Sequence, residues 1–138
     1  MRRLLPILLL LTVMAGCATT GARPGVEARA EAAGLASYFA SRYDGHPTAS
    51  GARYDERRLT AAHRTLPFGT RVRVTNIQNG RSVVVTIIDR GPFRAGRVID
   101  VSKRAATELG FLREGIAQVR LDVVPGDQPG RGAGAAAE

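Results

Sequence analysis

The side chain best suited to proton transfer is Asp89, which ends the most apolar run of the sequence, residues 82–88. Partial desolvation at the end of a buried strand favours the protonated form of a carboxyl group, which can then act as a general acid. The Gly91-Pro92 pair that follows turns the backbone and predicts that Asp89 lies at a rim. The alternative interpretation is structural, with the Asp89 carboxylate shaping this turn.

A second candidate is His63, because a histidine changes charge near neutral pH and can either donate or accept a proton. It directly follows Thr60, Ala61 and Ala62. A histidine there could orient the carboxyl group of Asp89 or donate a hydrogen bond to a ligand. Taken alone, His63 is better explained as the end of a short helix that begins at Thr60.

Short strands account for most of the pattern around these two residues. Residues 71–75 alternate between polar and apolar side chains, whereas residues 82–88 form a β-branched run that predicts a strand buried on both faces. Asn79-Gly80 lies between them and predicts a tight turn, so the two strands should form an antiparallel hairpin. Further strands are predicted at residues 35–39, 97–101 and 116–124.

One helix is predicted to begin after Ser102, which can cap its N-terminus, and to end near Gly110. Its Ala105, Ala106 and Leu109 would face the core. Six or so short strands with one or two short helices predict a mainly β fold that closes into a small barrel, because closure removes exposed strand edges.

The beginning of the chain predicts export and anchoring. Arg2-Arg3 precedes an apolar run of about ten residues, which is too short to span a bilayer and is typical of a cleaved signal peptide over residues 1–16. Cys17 follows two small residues, a pattern that resembles the lipobox of bacterial lipoproteins. It is also the only cysteine, so it is the predicted site of lipid attachment. An ordinary secretory signal with an incidental cysteine is the alternative.

Composition divides the remaining chain into three parts. Residues 17–33 are mostly small or charged and predict a tether, and the Gly- and Ala-rich residues 125–138 predict a disordered tail. Residues 34–124 remain as one small domain. Ala18, and not an aspartate, follows Cys17, which the sorting rule of Gram-negative lipoproteins associates with the outer membrane. The predicted location is therefore the cell envelope, on the periplasmic face of that membrane.

A formal net charge of +8 at pH 7 favours an anionic partner. Because export is predicted, that partner is an envelope component such as phospholipid headgroups, lipopolysaccharide or the carboxylates of peptidoglycan, and nucleic acid is not expected. The aromatic content of four Phe, three Tyr and no Trp also argues against binding of single-stranded nucleic acid. No cofactor or metal is predicted, since two well-separated histidines and a lipid-bearing cysteine make a poor ligand set.

Eight short blocks follow one another through the domain. They are Gly34-Leu-Ala-Ser-Tyr-Phe39, Thr48-Ala-Ser-Gly51, Thr60-Ala-Ala-His63, Leu66-Pro-Phe-Gly-Thr70, Val74-Thr-Asn76, Asn79-Gly80, Asp89-Arg-Gly-Pro-Phe93 and Arg97-Val-Ile-Asp-Val-Ser102. Together, and in this order, they resemble the rare lipoprotein A family across essentially all of residues 34–124. The resemblance implies a six-stranded double-psi β-barrel, an outer-membrane lipoprotein and lytic transglycosylase activity on the glycan strands of peptidoglycan.

The resemblance also implies roles for single side chains. Lytic cleavage needs one carboxyl group to protonate the leaving oxygen and then, as a base, to help a sugar hydroxyl close onto the anomeric carbon, which leaves 1,6-anhydro ends. Asp89 would be that group, and His63 would support it, because the match of its block outweighs the helix interpretation. Arg90 would hold a substrate carboxylate or pair with a nearby acid. Tyr38 would either stack on a sugar or pack in the core.

Ala52 departs from the family pattern, in which glutamate normally follows the Thr-Ala-Ser-Gly block. Alanine can neither transfer a proton nor accept a hydrogen bond through its side chain, and nothing in the sequence shows that Asp55 or Glu56 replaces the missing acid. The main prediction is an endolytic peptidoglycan transglycosylase, and the alternative is a non-catalytic, expansin-like module that binds peptidoglycan. His46 is predicted to be a loop residue and Asp100 to make a structural hydrogen bond.

The lipobox interpretation predicts that Cys17→Ser releases the protein from membranes, because the serine hydroxyl cannot form the thioether that carries the lipid. Incorporation of labelled palmitate and fractionation of cell envelopes measure this directly. A serine variant that still takes up palmitate and still sediments with membranes would show that Cys17 is not the anchor.

Overall fold

A computed structural model describes residues 30–125, so the predicted signal peptide, the lipid site at Cys17 and residues 126–138 lie outside the described part. Within it, the elements are β1 (Ala30–Tyr38), β2 (Thr60–Ala62), β3 (Arg71–Asn76), β4 (Ser82–Asp89), β5 (Arg97–Val101), α1 (Lys103–Leu109) and β6 (Ala117–Val123), with a 3-10 turn at Ser41–Tyr43. No helix in residues 30–125 is long and apolar enough to cross a membrane.

The six strands close into one barrel in the order β1-β5-β2-β4-β3-β6. The pairs β1–β5 and β2–β4 are parallel and the other four are antiparallel, so the sheet is mixed. Every strand therefore has two neighbours, and no strand edge is left unpaired along the ring. The predicted small barrel of six strands with one or two short helices is confirmed, and α1 is the one α-helix within residues 30–125.

The core lies inside the barrel, where alternate residues of each strand meet. Val83, Val85 and Ile87 of β4 point inward and are buried, while Val84 and Ile88 between them are only partly covered. The prediction that this strand is buried on both faces is thus wrong. In a single closed sheet one face of a strand fills the barrel and the other faces outward, so even a continuous β-branched run is fully buried on one side only.

Both predicted local structures around the hairpin and the helix are confirmed. β3 and β4 pair antiparallel around the turn that contains Asn79 and Gly80. The Ser102 side chain accepts a hydrogen bond from Ala105 N–H at the start of α1, and Gly110 adopts the left-handed conformation that ends it. The Asn79 side chain also donates to the carbonyl oxygen of Leu109, so the hairpin turn satisfies one of the free carbonyls at the end of α1.

Two elements differ from the sequence-based expectation. β1 begins at Ala30, inside the segment predicted as a tether, because its N-terminal half pairs with β6. Thr60–Ala62 form the short strand β2, held between β4 and β5, so the alternative of a helix that His63 would close is wrong. Three residues are too few to show a period, and only tertiary pairing makes them a strand.

The burial pattern of β4 yields a matched pair of variants. Val85 is 0% exposed, so Val85→Asp places an unpaired charge in the barrel and should cost several kcal/mol of an unfolding free energy of about 5–15 kcal/mol. Val84 faces outward opposite Arg73, so Val84→Asp should be tolerated far better. Chemical denaturation measures both, and equal losses of stability would contradict the one-sided burial of β4.

Candidate functional site

Four residues form a row across four neighbouring strands at one position of the barrel. Asp89 of β4 pairs with Ala62 of β2, Ala62 pairs with Asp100 of β5, and Asp100 pairs with Ser37 of β1. Ile99 and Val101, on either side of Asp100, are in the core, so Asp100 points outward. Because neighbouring strands lie ~4.8 Å apart, the backbones of the two aspartates are separated by no more than about 10 Å.

A β-bulge turns Asp89 into this row. Ala61 pairs with Ile87, but the next residue, Ala62, pairs with Asp89, so Ile88 is an extra residue on β4. Ile87 points into the core, and in an unbroken strand Asp89, two residues later, would point the same way. The bulge therefore moves a carboxyl group from the inner face of the barrel to its outer face.

The segment Thr48–Ala52 fixes both the bulge and the carboxyl group. Ser50 N–H donates to the carbonyl oxygen of Ile88 at 3.1 Å, and Ala49 N–H donates to Oδ1 of Asp89 at 3.0 Å. Arg90 N–H donates to the same oxygen at 2.9 Å. Oδ2 receives no hydrogen bond from residues 30–125, so it is the oxygen placed to exchange a proton with a ligand.

The backbone of His63 lies directly beside that of Asp89. Its backbone N–H donates to the carbonyl oxygen of Asp89 at 3.1 Å, and its side chain is buried. Nδ1 accepts hydrogen bonds from the N–H groups of Thr65 and Leu66 at 3.2 and 3.1 Å. Nδ1 is therefore the acceptor nitrogen of the ring. The structure shows His63 as a neighbour of the Asp89 backbone, outside the wall of the cleft described below.

Two arginines connect the chain after β2 to the chain after β4 through hydrogen bonds. Arg90 lies outside the cleft; its guanidinium donates to the carbonyl oxygens of His63 and Leu66 at 3.2 and 2.8 Å and stacks 3.9 Å from the centre of the Phe68 ring. The guanidinium of Arg64, on the chain after β2, donates hydrogen bonds to three carbonyl oxygens of the chain after Asp89. The sequence resemblance predicts that Arg90 holds a substrate carboxylate or pairs with a nearby acid, whereas these contacts are to backbone carbonyls. No sequence motif marks Arg64.

A cleft of about 540 Å³ opens in front of the two aspartates. Tyr38 lines the cleft. Its hydroxyl donates a hydrogen bond to the carbonyl oxygen of Leu112, and its ring packs edge-to-face with Phe111 at 6.2 Å between ring centres. The packing of Tyr38 is therefore observed, and its stacking on a sugar stays a prediction. His46, predicted to be only a loop residue, also lines the cleft.

Asp100 is a functional candidate that no sequence motif indicates. Its Oδ1 accepts a short hydrogen bond from the hydroxyl of Ser37, which accepts one from Arg97 at 3.2 Å. All three residues line the cleft. The predicted structural hydrogen bond exists, but it holds a second carboxylate in the same open space as Asp89. The parallel pairing of β1 with β5 places these groups together. Their spacing along the sequence does not predict this arrangement.

An aromatic wall completes the cleft. Phe39 packs on Tyr54 at 4.9 Å between ring centres and on the edge of Tyr43 at 6.5 Å. Tyr54 is buried, and its hydroxyl accepts a hydrogen bond from Lys103 N–H at the start of α1. Burial raises the pKa of Tyr54 above its ordinary value of 10.0, against the opposing effect of that hydrogen bond, so the hydroxyl stays protonated at neutral pH.

Neither acid near Ala52 in sequence replaces the missing glutamate. The backbone N–H and the guanidinium of Arg57 bind Asp55 and lower its pKa, which keeps Asp55 ionised. Glu56 lies 3.8 Å from the ammonium group of Lys103. Both side chains line other surface depressions and not the cleft of Asp89. Among residues 30–125, no three His, Cys, Asp or Glu side chains are grouped to hold a metal ion.

A mixed, closed six-stranded barrel with an outward cleft at the ends of β1 and β4 defines the class of double-psi β-barrel proteins. Residues 31–121 match the family described as lytic transglycolase, so the chain belongs to that family.

Several relatives share this segment at high identity. The chain is 56% identical over 91 residues to the probable endolytic peptidoglycan transglycosylase RlpA of Synechocystis, a match that covers 66% of this chain and 28% of the relative. It is 52% identical over 94 residues to the endolytic peptidoglycan transglycosylase RlpA of Neisseria meningitidis, covering 67% of this chain and 39% of the relative. The chain therefore spans well under half the length of these proteins.

Solved structures share the fold at lower identity. The Streptomyces papain inhibitor superposes with a TM-score of 0.55 at 24% identity, covering 67% of this chain and 93% of that one. An expansin variant from Clavibacter michiganensis, crystallised with cellohexaose, superposes with a TM-score of 0.51 at 21% identity, covering 67% and 49%. These likenesses establish the barrel fold.

The raised pKa of Tyr54 predicts how stability responds to alkaline pH. Above pH 10.0 the unfolded chain loses the Tyr54 proton while the folded chain keeps it, so ionisation favours unfolding. Stability should be unaffected by this group below pH 10.0 and fall as pH rises beyond it, and Tyr54→Phe should remove that part of the fall. Urea unfolding at pH 8 to 11 measures both proteins, and identical slopes above pH 10.0 would contradict the prediction.

Proposed function

We propose that the barrel is a peptidoglycan lytic transglycosylase that cleaves glycan strands endolytically and leaves 1,6-anhydro-muramyl ends. The observation that carries this proposal is the carboxyl group of Asp89, turned outward by a bulge, held through one oxygen and open to the cleft through the other. Family membership and the activity for which the relatives are named support the same reaction.

The reaction needs one proton carried to the leaving oxygen and one removed from the attacking hydroxyl. Asp89 protonates the glycosidic oxygen through Oδ2, and the bond from that oxygen to the anomeric carbon breaks. The resulting carboxylate then accepts the proton of the C6 hydroxyl as its oxygen bonds to the anomeric carbon. The carboxyl group ends as it began, and no water is consumed. This is why one carboxyl group suffices here, whereas hydrolytic glycosidases use two.

Other cleft residues have positioning and electrostatic roles in this proposal. Asp100, held by Ser37, directs negative charge into the cleft, where the transition state develops positive charge at the anomeric carbon. His63 positions Asp89 through the hydrogen bond from its N–H to the Asp89 carbonyl. Arg90 keeps the segment of His63 in place, a role that differs from the substrate contact predicted from the sequence. Tyr38 presents one side to the cleft, where a sugar ring can stack.

Ala52 favours a second candidate function, a non-catalytic module that binds peptidoglycan. Ala52 is exposed on the same segment that hydrogen-bonds Asp89, so the family glutamate would extend from a site joined to the candidate acid. Without that acid, the cleft keeps its aromatic wall and both aspartates and can still bind a glycan. We favour the enzyme, because the groups that hold Asp89 are complete without a side chain at position 52.

We further propose that the protein works from a membrane, with a lipid on Cys17 and residues 18–29 as the tether between the lipid and β1. The lipobox pattern and the signal-like residues 1–16 support this. Ala18 supports the outer membrane as the destination. The positive net charge suits an anionic wall, and peptidoglycan glycan strands are the proposed partner.

The enzyme proposal predicts that Asp89→Asn lowers cleavage by about 10²–10⁴-fold while glycan binding persists, because the amide keeps the shape but cannot deliver a proton. Asp122→Asn is the matched control, since Asp122 pairs with Arg120 on β6 and does not line the cleft. Mass spectrometry of digested glycan strands counts the anhydro ends. Full activity of Asp89→Asn would remove Asp89 from the reaction.

Ala52→Glu separates the two candidate functions. If the protein is an enzyme limited by its missing acid, this variant should form anhydro ends faster than the parent. If neither protein forms such ends and both bind glycan strands, the barrel is a binding module and the enzyme proposal fails.

A further inference from the structure

The segment from Arg90 to Gly96 connects β4 to β5. It joins Asp89 to Arg97, and both of these residues line the cleft. Phe93 stands in this segment with 81% of its surface exposed. Large exposed apolar side chains in residues 30–125 are Tyr43, Ile77, Phe93 and Ile116. Tyr43 lines the cleft, and Phe93 stands on the segment between two residues that line it.

The Phe93 ring lies against the backbone that carries the candidate acid. A Cβ atom at Gly91 would meet Cε2 of Phe93 at 3.6 Å, so the ring is beside the second residue after Asp89. Gly91 has a φ of 122°, which side chains other than hydrogen rarely permit. The chain between Asp89 and Phe93 thus contains a backbone conformation that favours glycine.

Arg64 holds this segment in one position despite its exposure. Its guanidinium donates to the carbonyl oxygens of Pro92, Arg94 and Arg97, on both sides of Phe93. Arg94 also accepts a hydrogen bond from Arg97 N–H at 3.3 Å, which closes a turn. The ring is therefore presented to solvent by backbone that is fixed at three points, so little ordering is needed when a ligand binds.

We propose that Phe93 is a substrate-binding residue that stacks on a sugar ring outside the cleft, at a position remote from the bond cleaved at Asp89. The proposal rests on the transglycosylase function above and adds a second contact site for long glycan strands. A single ring flanked by Gly91, Arg94 and Gly96 is much smaller than the area that a stable protein partner buries. It matches the apolar face of one pyranose ring.

The test compares Phe93→Ala with Phe93→Trp in the full chain, with Ile77→Ala as the control. Ile77 is 56% exposed and lies on the hairpin between β3 and β4. On long glycan strands Phe93→Ala should raise KM about 3- to 10-fold with little change in kcat, and Phe93→Trp should restore it. On oligosaccharides short enough to occupy only the cleft, the parent and Phe93→Ala should be equal.

Sedimentation with purified glycan strands gives a readout that does not need cleavage. In an Asp89→Asn background, Phe93→Ala should weaken binding of long strands by the same factor, and Ile77→Ala should not. If Phe93→Ala behaves like Ile77→Ala in both assays while the parent cleaves glycan, the inference is wrong and the proposed function stands. If the parent neither cleaves nor binds glycan strands, both fail.

Discussion

The hydrogen bond from Ser50 N–H to the carbonyl oxygen of Ile88 holds the bulge on which the candidate site depends. If β4 continued past Ile87 without a bulge, Asp89 would point to the inner face like Ile87, where an unpaired carboxylate is costly. With the bulge, the carboxyl group points outward and is held by Ala49 N–H from the same segment. A local irregularity in one strand thus turns a well-packed barrel into one that presents an acid to solvent.

The hydrogen bonds of Arg64 and Arg90 explain how such a site is held in place on segments without regular secondary structure. Arg64 and Arg90 each reach from one segment to the backbone carbonyls of the other, so the chain after β2 and the chain after β4 hold each other. Charge-assisted hydrogen bonds of this kind are stronger than neutral ones. The segment after Asp89 can therefore expose an apolar ring such as Phe93 while its backbone stays hydrogen-bonded. Such a surface suits the binding of a long polymer.

Much of the fold could be predicted because its signals are local. The alternation of polar and apolar residues predicts β3, and the Asn79-Gly80 turn predicts its hairpin with β4. The capping residues Ser102 and Gly110 predict the two ends of α1. The bulge, the three residues of β2 and the role of Asp100 could not be predicted, because each depends on pairing between strands distant in sequence. The resemblance singled out Asp89 and His63, whose backbones are hydrogen-bonded to each other. It could not show that Arg90 braces the backbone, since a motif records which residue is present and not where its side chain points.

The central claim is that Asp89, placed by the bulge, meets the glycosidic oxygen of a glycan bound across the cleft. A crystal structure of Asp89→Asn soaked with a peptidoglycan-derived oligosaccharide tests it most directly. We expect a glycosidic oxygen within hydrogen-bonding distance of the side chain at position 89, with Asp100 on the same face of the bound sugar. An oligosaccharide bound elsewhere on the barrel, or one that crosses the cleft with no glycosidic oxygen near position 89, would contradict it.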